Sequence, residues 1–227
     1  RPNEYTLNIR SVKVGGGDIQ PRGLLVIDPG YVEGEIEGED TIEPAFGLPA
    51  KWIVENQREQ AELLGYSVVE PPVVLVTVLT EIIRSFAHEL LTRQDTQSLI
   101  DQIKENSPTV VDELLGADQM RVGGVQKVLQ NLLKERVPIK DLQTILESLA
   151  DNITVTTDPD ILAEYVRTAL GRTICQLYQN EEGNIPVLTI APELEGQLSD
   201  AIQNTAGGIK VILPPEIPNP LFERLAE

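Results

Sequence analysis

Apolar residues change their spacing twice along this chain. Tyr5, Leu7 and Ile9 alternate with Thr6, Asn8 and Arg10, the period of a half-buried strand over 5–14. Gly15-Gly16-Gly17-Asp18 reads as the turn that ends it. A second apolar segment, Leu24 to Ile27, closes at Asp28-Pro29-Gly30. After Pro49-Ala50 the spacing predicts a helix over 51–64, and Gly65 stands where a helix end takes a left-handed residue. Residues 67–70 predict a short strand, stopped by Pro71-Pro72. Over 73–92 two signals compete. Val73 to Val78 has strong β propensity, whereas Leu79, Ile82, Ile83, Phe86 and Leu90 fall at helical spacing. The prolines suit a first helical turn, and a helix is predicted.

From 94 to 179 the period is helical throughout. Val125, Val128, Leu129, Leu132 and Leu133 make one apolar stripe; Leu142, Ile145, Leu146 and Leu149 make the next. Val137-Pro138 separates them, with Pro138 read as the stop of the first helix because it lacks an amide proton. Ser107-Pro108 and Asp158-Pro159 read as N-cap and first-turn pairs, and Gly116, Gly123-Gly124 and Gly171 as punctuation. Short polar connections favour antiparallel neighbours in a bundle. The pattern then switches again, to a strand over 186–190 and a helix over 192–205, before a proline-rich tail over 211–227. The fold class is α+β in several parts: an N-terminal α/β part with a small α+β insertion, an all-helical part, and the start of a C-terminal α/β part.

With 227 residues, 41% of them apolar, the chain is globular and long enough for a sizeable core. Its longest apolar run, Val73 to Leu79, contains Thr77 and is far too short to span a bilayer. No basic start with an apolar core is present, and the one cysteine, Cys175, has no internal disulfide partner; a soluble, cytosolic setting is expected. Eighteen basic against 36 acidic residues leave a net charge of −18, which repels phosphate backbones and anionic lipid, so nucleic acid is not an expected partner. Residues 31–43 hold Glu33, Glu35, Glu37, Glu39, Asp40 and Glu43 with no cation, the composition of a solvated loop or edge strand.

Catalytic chemistry has little to draw on. His88 is the one histidine, on a predicted helix, and reads as a solvent-facing or packing residue. Cys175, between apolar neighbours, reads as a buried structural cysteine. Gly15-Gly16-Gly17 and Gly207-Gly208 lack the lysine and hydroxyl residue of a phosphate loop and read as turns. No nucleophile–base pair, metal set or cofactor motif is found, which argues against an enzyme. Phe46, within Glu43-Pro44-Ala45-Phe46-Gly47-Leu48-Pro49, leaves two readings open: a plug of its own core, or an anchor for a partner with Glu43 accepting hydrogen bonds at the rim.

Three strings, EPAFGLPAKWI at 43–53, LQNLLKERVPIKDLQTILESLAD at 129–151 and YVRTALGRTI at 165–174, resemble in order the FlhA-like flagellar and type III secretion export-gate family. The resemblance implies a non-enzymatic platform that docks export chaperones carrying filament-type substrates and hands them to a membrane gate. It implies Glu43, Phe46 and Thr77 as chaperone-binding residues. Phe46 matches the family phenylalanine, Glu43 replaces an aspartate, and Val78 stands where the family often has histidine. It further implies four subdomains: 1–21 with 71–90, an insertion at 22–70, a helical 91–171 and a partial fourth at 172–227. Implied partners are the ATPase complex and neighbouring copies in a nonameric ring. The implied setting is the cytoplasmic domain of a bacterial inner-membrane protein, with this chain a fragment lacking the membrane region and the end of the fourth subdomain. The intact EPAFGLPA motif and Thr77 favour the flagellar branch over the virulence-type (injectisome) branch.

Overall fold

A computed structural model describes residues 3–116, 119–187, 189–205, 208–213, 218 and 222. The chain divides into two compact units, Arg1–Ile174 and Cys175–Glu227.

The first unit opens with an antiparallel hairpin of β1 (Glu4–Ile9) and β2 (Val12–Asp18). Arg10 and Ser11 turn it, both left-handed with φ of 47° and 70°, the backbone a tight hairpin requires. The Arg10 guanidinium donates to the Glu89 carbonyl at 2.9 Å, which ties the turn down. The predicted single strand over 5–14 is therefore two strands, and the glycine run lies inside β2 rather than in a turn. Close approach explains it. A Cβ on Gly16 would stand 2.7 Å from the Tyr5 carbonyl oxygen, and one on Gly15 would stand 2.3 Å from Ile82 Cδ1.

A four-stranded antiparallel sheet follows, in the order β4-β5-β3-β6, from β3 (Gly23–Ile27), β4 (Glu39–Ile42), β5 (Pro49–Val54) and β6 (Ser67–Val69). Residues 51–54 thus belong to a strand, not to the predicted helix, which is confined to a 3-10 turn over 55–57 and α1 (Arg58–Leu63). Tertiary pairing overrides the local spacing here: β5 hydrogen-bonds to β3 on one side and β4 on the other, with Trp52 opposite Leu25. Gly65 takes the left-handed residue after α1, φ 91°, as expected. Helix α2 (Pro71–Ser85) packs Val74 and Val78 on one face of the sheet, against Leu25, Ala50 and Trp52. Leu24, Val26 and Ile53 point to the other face, where they meet Ile36 and Ala61. Burial on both faces is why β3 reads as an unbroken apolar run.

The helical part comprises α3 (Ala87–Leu90), α4 (Arg93–Asn106), α5 (Pro108–Leu115), α6 (Val122–Lys134), α7 (Leu142–Asn152) and α8 (Pro159–Ala169). Its core is the pair of stripes read from the sequence: Leu129, Leu132, Ile145, Leu146 and Leu149 are all fully buried, with Leu162 of α8. Burying each leucine fully is worth about 1.5–3 kcal/mol. Thr92 and Asp95 form a reciprocal cap at the start of α4. Asp158 caps α8 through the Asp160 amide, but Ser107 does not cap α5; its hydroxyl donates to Gln143 instead. Pro138 is not what stops α6. The helix ends at Lys134 in a Schellman motif: the Val137 amide donates to the Leu132 carbonyl, and the Arg136 amide to that of Leu133. Arg136 supplies the left-handed residue, φ 60°, where glycine is the favoured choice. A non-glycine residue there costs on the order of 1 kcal/mol.

Helix α9 (Gly171–Tyr178) begins in the first unit, where Ile174 packs on the helical core. Cys175 is exposed, against the expectation of a buried cysteine, because the inward-facing position of this helix is taken by Ile174. In the second unit, α10 (Pro192–Asp200) precedes a hairpin of β7 (Ile202–Thr205) and β8 (Gly208–Val211). The helix predicted over 192–205 therefore stops at Asp200, and 202–205 pair as a strand. Among the described residues of 186–190 no strand forms, since none of them finds a pairing partner. Gly207 and most of the tail lie outside the described residues.

Candidate functional site

Register fixes a six-residue connection in the β4–β5 hairpin, because Ile42 pairs with Pro49. Within it the chain folds onto Glu43. The Glu43 amide donates to the Leu48 carbonyl at 2.8 Å, and the Gly47 amide to the Glu43 carbonyl at 2.9 Å. Gly47 is left-handed, φ 72°, a conformation that strains any residue with a side chain. The Glu43 carboxylate is 4% exposed and accepts from the Ala45 amide at 2.9 Å and the Phe46 amide at 2.6 Å. Both oxygens are spent inside the loop. Glu43 is thus the buried staple of the hairpin tip, not the rim acceptor expected from the sequence. A carboxylate that meets two amide donors makes bonds of the strong, charge-assisted kind.

That staple turns the tip inside out. Ala45 packs toward the core beside Trp52 and Val78, whereas Phe46 is 64% exposed. Of the two readings open for Phe46, the core plug is overturned. Ile42 and Leu48, on either side of it, are exposed as well, so the tip is an apolar surface on an otherwise acidic hairpin. Tyr5 lies behind: its hydroxyl is buried without a hydrogen-bond partner among the described residues. Burial first, and the Glu43 carboxylate second, push its phenol above the ordinary value.

Between this loop, β2 and α2 runs a cleft of about 270 Å³. Gly15 and Gly16 form one side, Pro44 and Ala45 the second, and Val78, Ile82 and Phe86 the third. Glu81 and Ser85 also face it. Thr77 sits one turn before Glu81, half-buried, with its hydroxyl donating to the Val73 carbonyl at 2.9 Å. The structure therefore brings Glu43 and Phe46 together in one loop beside α2, and places Thr77 on that helix short of the cleft lining. Sequence reasoning missed the strand side of the cleft, Glu81 and Ser85. The one available signal was the helical i, i+4 spacing of Thr77, Glu81 and Ser85.

A larger cavity, about 640 Å³, opens on the sheet face that carries α1, lined by Val26, Lys51 and Tyr66 with Asp28, Glu35 and Asp40. Lys51 already pairs with Asp40 at 3.3 Å, and the Tyr66 hydroxyl with the Gly34 carbonyl at 3.0 Å. Pro49, Ala50 and Lys51 of the 43–53 string line it, but Glu43, Phe46 and Thr77 do not. Among the described residues, no group of histidine, cysteine and carboxylate side chains is placed to hold a metal ion. No described helix is long and apolar enough to cross a membrane. His88 lies at the α3 turn with Nε2 3.9 Å from Glu89, and its Nδ1 is buried without a hydrogen-bond partner among the described residues.

Comparison with known proteins bears on this geometry. The FHIPEP family model matches residues 1–227. The flagellar biosynthesis protein FlhA of Bacillus subtilis is 41% identical over 227 residues, all of this chain and 33% of that protein. FlhA of Escherichia coli is 39% identical over 207 residues, 91% of this chain and 30% of that protein. The chain thus spans about a third of the length of these curated relatives. Among solved structures, the Chlamydia pneumoniae CdsV protein superposes with a TM-score of 0.85 at 25% identity, over 100% of this chain and 66% of that one. The nonameric EscV cytosolic domain from the type III secretion system gives 0.64 at 26% identity, over 90% and 60%. With a matching family model, flagellar relatives and secretion-system neighbours of the same fold, the chain belongs to the FHIPEP family, the export-gate family of flagellar and type III secretion systems.

Proposed function

We propose that this chain is part of a flagellar export gate and acts without catalysis, as a docking platform for export chaperones with bound filament-type substrates. The observation that carries this reading is the exposed Phe46 ring, held at the hairpin tip by the buried Glu43 staple beside the α2 cleft. An exposed aromatic on a loop with no conformational freedom left loses little entropy on binding. Phe46 is the anchor, Glu43 its positioning residue, and Thr77 a compact β-branched wall on α2. Subdomains at 1–21 with 71–90, 22–70, 91–171 and 172–227 fit the docking role, because the cleft then lies where the first meets the second. Movement between them opens or closes the cleft, and so governs handover of the substrate.

Of the remaining parts of the reading, the ring and the cytosolic side are supported by the nonameric EscV cytosolic domain, and the rest follows from the family resemblance. The whole protein is placed in the inner membrane with this region on the cytoplasmic side, neighbouring copies in a nonameric ring, and the ATPase complex as a further partner. One alternative has an observation behind it: the solved neighbours named above include a secretion-system domain. Identity near 40% to flagellar proteins against about 25% to those neighbours favours the flagellar branch.

Calorimetric titration with a flagellar chaperone–filament protein complex tests the proposal, with Phe46→Ala alongside the parent chain. Burial of the ring is worth about 2–3 kcal/mol, so the variant should bind roughly 30- to 150-fold more weakly. Its stability should stay within about 0.5 kcal/mol of the parent, because the ring supports no core. Equal affinity in the folded variant sinks the placement of the site. Tighter binding of an injectisome chaperone than of a flagellar one would move the chain to the other branch.

A further inference from the structure

Arg136, like Arg10 in the first hairpin, joins a left-handed backbone to a remote side-chain contact, but only Arg136 of the two reaches a carboxylate among the described residues. It occupies the left-handed position that closes α6, φ 60°, where glycine sits without strain. Its side chain leaves the helical part altogether. The guanidinium pairs with the Glu81 carboxylate, and the same nitrogen donates to Ser85 Oγ at 3.2 Å. Both partners lie one turn apart on α2, and both face the 270 Å³ cleft. Glu81 is only 16% exposed in its side chain, while Arg136 is 59% exposed. The carboxylate is therefore the desolvated member of the pair, set among Val78, Ile82 and Phe86, and an anion in such surroundings needs a counter-charge.

We infer that Arg136 is a positioning and specificity-determining residue of the cleft: reaching from the end of α6, it holds the Glu81 carboxylate and cancels its charge, so that the cleft accepts an apolar side chain. With Arg136 in place the cleft presents methyl and ring carbons with a neutralised pair at the edge. With Arg136 withdrawn, an unpaired carboxylate faces the same space and rejects an apolar group. The helical part of the first unit thereby sets the electrostatic character of a surface built from the sheet and α2. Any displacement of the α6–α7 turn from α2 changes docking, and docking in turn favours the closed arrangement. The left-handed arginine fits this role, since a local strain is retained where a contact elsewhere compensates for it. Arg136 itself touches no docked group; it acts through Glu81 and Ser85.

The inference rests on the docking reading, and the experiment separates the two. The full chain, Arg136→Gly, Glu81→Gln and the double variant are titrated with the flagellar chaperone–filament protein complex. Amide hydrogen exchange of residues 78–86 is followed in each protein without partner. Glycine is at ease at φ 60°, which offsets part of the lost ion pair, so Arg136→Gly should stay folded at the titration temperature, and its melting curve separates lost docking from unfolding. Its affinity should fall about tenfold, the effect of one buried group left unpaired. Glu81→Gln alone should bind within about twofold of the parent, and Glu81→Gln with Arg136→Gly should recover to the same level, because no uncompensated charge remains. Parent-like affinity in Arg136→Gly overturns the inference, and so does a double variant as weak as the single. Should the parent chain itself not bind, the docking reading fails and exchange decides the rest. Faster exchange over 78–86 in Arg136→Gly upholds the hold on α2, and unchanged exchange overturns it.

Discussion

Replacing Glu43 by glutamine changes one oxygen to an amide group and leaves the shape of the side chain intact. In the parent, two backbone donors converge on the carboxylate, Ala45 at 2.9 Å and Phe46 at 2.6 Å. Glutamine offers one carbonyl oxygen; its NH2 then faces an amide that is itself a donor. One charge-assisted bond is lost and the other becomes neutral. Hydrogen bonds to charged groups are worth about 1.5–3 kcal/mol, so the loop should open roughly 10- to 150-fold more often. Amide exchange at Ala45 and Phe46, read residue by residue by NMR, measures that opening directly. A second signal is independent of it. Burial is the larger cause of the raised Tyr5 phenol and the Glu43 charge the smaller, so the variant should titrate Tyr5 lower than the parent does, yet still above the ordinary value of 10.0. Exchange and phenol titration both unchanged in a folded variant would refute the staple. The sign of the pH effect also follows. A group whose folded pKa is raised contributes stability that is complete below its unfolded pKa and is lost as pH rises through the folded value. Alkaline unfolding of the first unit should therefore set in above about pH 10.

Other outcomes follow from the same structure. Gly16→Ala sets a methyl carbon 2.7 Å from the Tyr5 carbonyl oxygen, a backbone atom, and should cost about 1–3 kcal/mol in denaturant unfolding, whereas Gly15→Ala meets only the movable end of Ile82 and should cost less while narrowing the cleft. Leu146→Ala empties a fully buried position in the helical core and should cost about 2–5 kcal/mol, measured by the shift of the denaturation midpoint at constant slope. The Asp95 carboxyl is held below its ordinary value by the Thr92 hydroxyl first and the Thr92 amide second. Its contribution to α4 is thus present above about pH 4 and lost as pH falls through the folded pKa. Asp95→Asn should flatten the acid limb of the α4 amide-exchange profile, and an unchanged profile would count against the cap.

The helical part was legible because its signal is local and redundant. Leu129, Leu132, Ile145, Leu146 and Leu149 repeat at 3.6 residues, and the core buries those very positions. The errors fall where tertiary pairing decides. Trp52 and Ile53 sit in a stretch that reads as helix until β3 and β4 are available on either side. Residues 202–205 likewise become a strand only because 208–211 return alongside them. Helix α2 was predicted as a helix, though against a competing strand signal. Val74 and Val78 face the sheet, but Val73, Leu75, Val76, Leu79 and Ile83 are exposed and apolar too, so over 73–79 only Thr77 interrupts the apolar run to mark a helical period. Only the spacing of the larger residues and the leading prolines kept the helix reading ahead of the strand.

The candidate site divides along the same line. Phe46 and Glu43 could be singled out from a short string, because glycine and proline punctuation and a lone aromatic are one-dimensional facts. What each does could not be. The carboxylate faces inward and the ring outward because the Glu43 oxygens reach amides two and three residues on, and that choice depends on Gly47 adopting φ 72°. The cleft is still less readable, since its walls come from residues some seventy positions apart and its strand side is a glycine run that ordinarily means a turn. Arg136 lies at the limit. In the string KERVPIKD nothing distinguishes it from a solvated arginine after a helix. Its significance comes from two facts that exist only in three dimensions, a left-handed backbone that glycine would occupy more easily and a carboxylate on α2 within reach. Glycine at this position would leave α6 capped and the cleft charged; arginine leaves it capped and neutral. The choice of residue is therefore an electrostatic decision about the cleft, made at a site that local structure alone would assign to glycine.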